Sequence, residues 1–183
     1  NYLVNNIIQT SQYINDDNRY IGIQIQNKLK LLALIIALNR LGKIPVIYPN
    51  YPNIMNYIKN TGIPIHFKDD DIKINTAICN DGRIISYNPN DTQLVIFSSG
   101  TTGMPKPCEL TFNNLFQSAL KWNNILKFTD KDIYLNHMPL THVSGLCIFF
   151  RALYCNFLMV VEDFSSKSYD KKIIKNKISY ISM

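Results

Sequence analysis

Residues 19–48 read RYIGIQIQNKLKLLALIIALNRLGKIPVIY, and the order of patterns in this stretch sets the fold class. Arg19 to Gln26 alternates polar and apolar side chains, the period of a β-strand with one buried face. Asn27 follows as a helix N-cap, because its side-chain oxygen can accept from an otherwise unpaired N–H of the first turn. Lys28 to Leu41 is strongly apolar at helical spacing, with Leu29, Leu32, Ala33, Ile36 and Ala37 expected on one face. Gly42 stands at C′, where the backbone turns left-handed. Ile44 to Tyr48 is a second strand. Strand, helix and strand at this spacing form a βαβ unit, which places the two strands side by side and parallel.

Working outward, Pro49–Asn53 reads as a loop, and Ile54–Asn60 as a short helix closed by Thr61-Gly62. Ala77–Tyr87 is expected to be a hairpin turning at Asp81-Gly82. Leu94–Ser98 is a short apolar run, a buried strand that opens directly into a loop. Leu115, Ala119, Trp122 and Leu126 recur at helical spacing, which places Trp122 in the core. Ile133–Asn136 and Phe157–Val161 are further strands, Ser166–Lys177 a polar-faced helix and Ile178–Ser182 a last strand. The class is α/β, built of layered βαβ units.

Val143–Val161 is apolar enough to be weighed as a membrane span. Arg151 near its middle would cost about 2.5–3.5 kcal/mol to insert, so a buried helix followed by a strand is the cheaper reading. Arg151, nine residues on from His142, either faces a pocket with it or pairs at the helix surface, the surface reading being slightly favoured. The apolar run Leu31–Leu38 falls far short of the roughly 20 residues a span needs. A soluble protein follows.

At 183 residues the chain can hold one ordinary domain with a sizeable core. Its formal net charge of +6 comes mostly from lysines scattered among asparagines. The cluster Lys171, Lys172, Lys175 and Lys177 reads as a solvated helix face, not a nucleic-acid site. The abundance of Ile, Asn, Lys and Tyr follows AT-rich codons. Four cysteines without a CxxC pair suit a reducing, intracellular compartment. No charged-then-apolar signal pattern stands at the start of this stretch, though a missing start would hide one. Asn1 at one end and the strand-like tail before Met183 at the other make both ends read as cut.

The loop leaving the buried strand is Ser98-Ser99-Gly100-Thr101-Thr102-Gly103-Met104-Pro105-Lys106. Its glycines let the backbone turn sharply and bring N–H groups to a ligand. Four hydroxyls add donors and Lys106 adds a full positive charge, a set suited to polyphosphate oxygens. It is not a Walker A loop, because Pro105 and Pro107 flank the lysine and forbid the helix start such a loop requires. Lys106 must therefore ride on extended or turning backbone. His137 and His142, separated by Pro139, lack a cysteine at ligand spacing and do not form a zinc site. His137 and His66 read as structural, and no Gly-x-Ser-x-Gly elbow supplies a hydrolase nucleophile.

Ser98–Lys106 resembles the phosphate loop of the adenylate-forming superfamily, which contains acyl- and aryl-CoA ligases, luciferase-like enzymes and peptide-synthetase adenylation domains. Leu110-Thr111-Phe112-Asn113-Asn114-Leu115 is similar to the continuation of that motif. Leu38-Asn39-Arg40-Leu41-Gly42-Lys43-Ile44-Pro45-Val46 is similar to the family's early helix–glycine–strand segment. Pro139-Leu140-Thr141-His142-Val143-Ser144-Gly145-Leu146, with Phe150-Arg151-Ala152-Leu153 behind it, resembles the His-x-Ser-Gly-Leu segment of o-succinylbenzoate–CoA ligases. Cys108 and Glu109 depart from the small or apolar residues usual after the lysine, a difference expected to alter packing only.

The resemblance implies a partial N-terminal AMP-binding domain over residues 1–183. The adenine-side motif, the ribose aspartate, the coenzyme A site and the C-terminal catalytic lysine would lie beyond Met183. It implies adenylation of a small-molecule carboxylate by Mg·ATP, then thioester formation with coenzyme A. In it Ser98, Ser99, Gly100, Thr101, Thr102 and Gly103 hold phosphate oxygens, and Lys106 is the mobile cation over the leaving group. His142 lines the acyl pocket, with Ser144 and Gly145 shaping its wall. The substrate implied is o-succinylbenzoate, in menaquinone or phylloquinone synthesis, in a bacterial cytoplasm or plastid stroma. Other readings fit the same residues: an acyl-CoA synthetase for a fatty or aryl acid, a non-catalytic nucleotide-binding remnant, or an unrelated α/β phosphate-binding module.

Overall fold

The computed structural model describes residues 18–50, 52–72, 88–98, 105–163 and 173–182. The chain divides into two units, Asn1–Phe112 and Asn113–Met183.

In the first unit the βαβ unit forms as its sequence dictates. β1 (Tyr20–Gln24) leads through Asn27, whose side chain accepts from Lys30 N–H at 3.1 Å, into α1 (Lys28–Arg40). Gly42 ends the helix at φ 71°, a value open to glycine at little cost. β2 (Ile44–Ile47) then pairs parallel to β1, with Tyr20 opposite Ile44. α2 (Ile54–Thr61) is closed by Gly62 at φ 68°, and β3 (Ile65–Lys68) and a 3₁₀ turn, Asp69–Asp71, follow. The Asp69 carboxylate accepts from the N–H groups of Gln26 and Asn27 at 2.7 and 2.9 Å, fixing the turn between β1 and α1. β4 (Thr92–Ser98) and β5 (Lys106–Thr111) complete a five-stranded sheet of order β3-β1-β2-β4-β5. Its strands are parallel except β5, which runs antiparallel to β4 at the edge.

α1 departs from the single-face expectation. Leu31 to Ile35, Ala37 and Leu38 are all buried, Ile36 is half-buried, and Leu29 is 54% exposed. A helix apolar all round is covered all round, and Leu29 sits in the first turn, ahead of the buried stretch. One polar residue is buried with it: Asn39 Nδ2 donates to the carbonyl of Gln93 at 2.6 Å, tying α1 to the strand that ends at Ser98. Beneath α2, Tyr48 stacks on Phe97 at 5.4 Å between ring centroids and donates its hydroxyl to the carbonyl of Ile63 at 2.7 Å. His66 is structural as expected, its Nδ1 accepting from Gly22 N–H at 3.0 Å.

The second unit carries α3, which starts at the boundary (Phe112–Leu126), then β6 (Ile133–Asn136), α4 (Val143–Cys155), β7 (Leu158–Val161) and β8 (Tyr180–Ile181). Its three strands form a parallel sheet of order β7-β6-β8. Phe128, Tyr134 and Phe157 make an aromatic core edged by Tyr180. The buried helix and following strand expected over Val143–Val161 are α4 and β7. Among the described residues no helix is long and apolar enough to cross a membrane.

Two expectations are corrected here. Trp122 is 45% exposed, not core: the buried stripe of α3 is Leu115 and Ala119, and the indole lies beyond it at the margin. Arg151 is not at the helix surface but buried, its guanidinium 4.7 Å from the centre of the Trp122 ring. The hairpin expected over Ala77–Tyr87 lies outside the described residues. So does most of the helix over Ser166–Lys177, of which residues 173–175 are helical.

Candidate active site

β4 is buried from Gln93 to Ile96 and emerges at Ser98, the carboxyl end of a parallel strand, where ligand crevices of open α/β sheets lie. The chain returns as β5 from Lys106. The antiparallel register sets Ser98 opposite Lys106, Phe97 opposite Pro107 and Ile96 opposite Cys108. Two of the site residues, eight apart in sequence, thus stand across one strand pair. Both are exposed. Ser99, Gly100, Thr101, Thr102 and Gly103, which the sequence assigns to phosphate binding, lie outside the described residues.

The prolines do what their chemistry requires. Lys106 is on a strand and not on a helix, as the flanking Pro105 and Pro107 demand, and Pro107 is tolerated because β5 is an edge strand. The buried Pro105 offers its carbonyl to Asn60 Nδ2 of α2, which anchors the exit of the loop. Asn60 carried no signal in the sequence, since a helix-end asparagine has many ordinary uses. Glu109 does more than alter packing: its carboxylate accepts from the hydroxyls of Tyr20 and Thr92 at 2.9 and 2.7 Å, spanning β1, β4 and β5. A cavity of about 480 Å³ lies nearby, lined by Tyr20, Val46, Asn60, Val95, Pro107 and Glu109 among others. It has a carboxylate and no basic side chain, so it is the wrong charge for phosphate.

His142, Ser144 and Gly145 come together at the start of α4, just past the carboxyl end of β6. His142 is the N-cap, in extended conformation, exposed, with its N–H donating to the carbonyl of Pro139 at 3.2 Å. Ser144 is exposed in the first turn and Gly145 is buried. A Cβ on residue 145 would stand 2.4 Å from the carbonyl oxygen of Pro139, so only glycine lets the turn lie this close. Asn136, fully buried at the end of β6, donates to the carbonyl of Gly145 at 2.8 Å and accepts from Met138 N–H at 3.2 Å. In the sequence Asn136 reads only as the end of a strand. The only available signal was an amide closing an apolar run. The Ser98–Lys106 pair belongs to the first unit, and the His142 group to the second.

A family model described as AMP-binding enzyme matches residues 57–181. The 2-succinylbenzoate–CoA ligase of Staphylococcus aureus strain Newman is 32% identical over 99 residues, which cover 54% of this chain and 20% of that protein. Among solved structures, the o-succinylbenzoate CoA synthetase of Bacillus subtilis in complex with its acyl-adenylate intermediate superposes with a TM-score of 0.83 at 21% identity. That match covers 99% of this chain and 53% of the other. The N-terminal subdomain of NpsA from Klebsiella oxytoca gives a TM-score of 0.83 at 16% identity, over 98% and 50% of the two chains. The chain therefore spans about half the length of these solved relatives, and its fold is that of their N-terminal regions.

Proposed function

We propose that this chain, which belongs to the AMP-binding enzyme family, forms part of the N-terminal AMP-binding domain of an acid–thiol ligase whose substrate is o-succinylbenzoate. The observation that carries the reading is the register of Ser98 against Lys106, which closes a hydroxyl- and glycine-rich loop with a cation at its exit. The substrate rests on the His142-Val143-Ser144-Gly145-Leu146 turn and on the likeness to the staphylococcal and Bacillus ligases.

The reaction runs in two displacements. A carboxylate oxygen of the acid attacks the α-phosphorus of ATP, the bond to the β-phosphate bridge breaks, and acyl-adenylate and pyrophosphate form. The sulfur of coenzyme A then attacks the acyl carbon, the thiol proton is lost, and AMP leaves. This chain's part lies in the first step, by position and charge. Ser98 to Gly103 hold β- and γ-phosphate oxygens, and Lys106 neutralises charge on departing pyrophosphate. His142 and Ser144 present polar groups to the acid, which carries two carboxylates and a ring, where a fatty-acid tunnel would be apolar. Mg²⁺ accompanies ATP, as in a magnesium- and ATP-bound structure of the Bacillus relative. Among the described residues no group of three or more His, Cys, Asp or Glu side chains stands where it could hold a metal ion. The wider role is menaquinone or phylloquinone synthesis, in a bacterial cytoplasm or a plastid stroma.

The test is Lys106→Ala in the full-length enzyme. Pyrophosphate release should slow by about ten- to a thousandfold, the scale of losing one charge-stabilising group. Because Lys106 is exposed, the fold should be retained. An unchanged rate refutes the assignment. An acid panel run with the wild type should show preference for o-succinylbenzoate, and preference for a fatty acid or amino acid would end the substrate reading alone.

A further inference from the structure

The last residue of β6 is a fully buried amide, Asn136. Withdrawing such a group from water costs about 1–3 kcal/mol for each polar atom left unmet. Neither end is unmet here. Nδ2 donates to the carbonyl of Gly145 at 2.8 Å and lies 3.6 Å from the sulfur of Met159, and Oδ1 accepts from Met138 N–H at 3.2 Å. One side chain thereby joins the strand end, the turn two residues on and the first turn of α4. The strand does not need it, since Leu135 and Asn136 already pair through the backbone with Val160 and Val161 of β7.

The same turn is pinned from the helix side. The Pro139 carbonyl rests 2.4 Å from where a Cβ of residue 145 would stand, and that carbonyl also accepts from His142 N–H. The position of Pro139 against α4 is therefore fixed by Asn136 on one side and by the bare Gly145 on the other. His142 sits between them, as the residue that starts the helix.

We infer that Asn136 is a positioning residue for the acid substrate, acting by holding the turn that aims His142. The inference rests on the acyl-pocket role of His142 proposed above. A shift of about 1 Å in a positioning group can cost on the order of a hundredfold. In the full-length enzyme, Asn136→Ala should therefore raise KM for o-succinylbenzoate by about 10- to 100-fold, while KM for ATP stays within about twofold of wild type. Asn136→Leu fills the volume without either bond and should do the same, which keeps the test alive if the alanine variant fails to fold.

The deciding measurement is a double-mutant cycle with His142→Ala. If Asn136 acts through His142, the double variant binds the acid no more weakly than His142→Ala alone. Losses that add, or equal loss for acid and ATP together with a lower melting temperature, make Asn136 merely structural and overturn the inference. Normal acid KM in the Asn136 variants beside a damaged His142→Ala overturns the inference and leaves the His142 role standing. Normal acid KM in His142→Ala defeats the His142 role and the inference with it.

Discussion

Replacing Arg151 by methionine should stabilise this protein. The guanidinium is 6% exposed and its Nε has no hydrogen-bond partner, an omission that costs about 1–3 kcal/mol. Loss of hydration around the whole cation adds an effective penalty of several kcal/mol, and burial accordingly pushes its pKa below the usual arginine value. Two contacts offset this. The face of Trp122, 4.7 Å away, contributes about 2 kcal/mol, and the phenol of Tyr134 favours the charged form of the guanidinium. Methionine keeps an unbranched stem in the same space and sets sulfur near the indole, recovering about 0.3–1.5 kcal/mol. The net gain is then about 1–2 kcal/mol, as for other buried ions exchanged for apolar residues of similar size. At about 2–4 °C per kcal/mol for a chain of this length, Tm should rise by about 2–8 °C. Thermal melts followed by far-UV circular dichroism, with fluorescence of the single tryptophan as a second probe, measure it. A fall in Tm of about 3 °C or more would refute the reasoning, because it would mean that the indole and the phenol outweigh desolvation.

Gly22→Ala should destabilise the first unit by about 3 kcal/mol. Its Cβ would stand 2.1 Å from the carbonyl oxygen of Pro64 and 2.9 Å from the Tyr48 ring, in a strand paired on both sides; an unaltered urea midpoint would show that the strand can shift. Asp132 ties the turn before β6, accepting from the N–H and hydroxyl of Thr129 at 2.8 and 3.0 Å. The N–H bond chiefly holds its carboxyl below the usual aspartate range. A depressed folded pKa stabilises above the unfolded value near 4 and loses that contribution as pH falls through the folded one. The Tm deficit of Asp132→Asn should therefore be present at neutral pH and shrink below about pH 4, and a deficit independent of pH would count against this tie.

Local chemistry determined a large part of this protein without help from the fold. Asn27, Gly42 and Gly62 mark helix ends because capping and positive φ are properties of one residue and its immediate neighbours. The prolines around Lys106 sufficed to put it on a strand, and the β1–α1–β2 order sufficed to make the sheet parallel. The family resemblance, carried by Ser98–Lys106 and Pro139–Leu146, was equally legible, because those motifs are contiguous.

Tertiary structure decided whatever depends on partners distant in sequence. Periodicity put Trp122 with Leu115 and Ala119, but a stripe does not say how far along a helix the cover extends, and the indole lies past it. For Arg151 the sequence left a pocket-facing and a surface-paired reading open; only the packing of α4 shows it buried, over an aromatic face 29 positions earlier in the chain. Asn60 holding Pro105, Glu109 bridging Tyr20 and Thr92, and Asn136 clamping Gly145 are likewise invisible to pattern. Each is a single polar side chain whose meaning lies in a bond to a residue that only folding brings near.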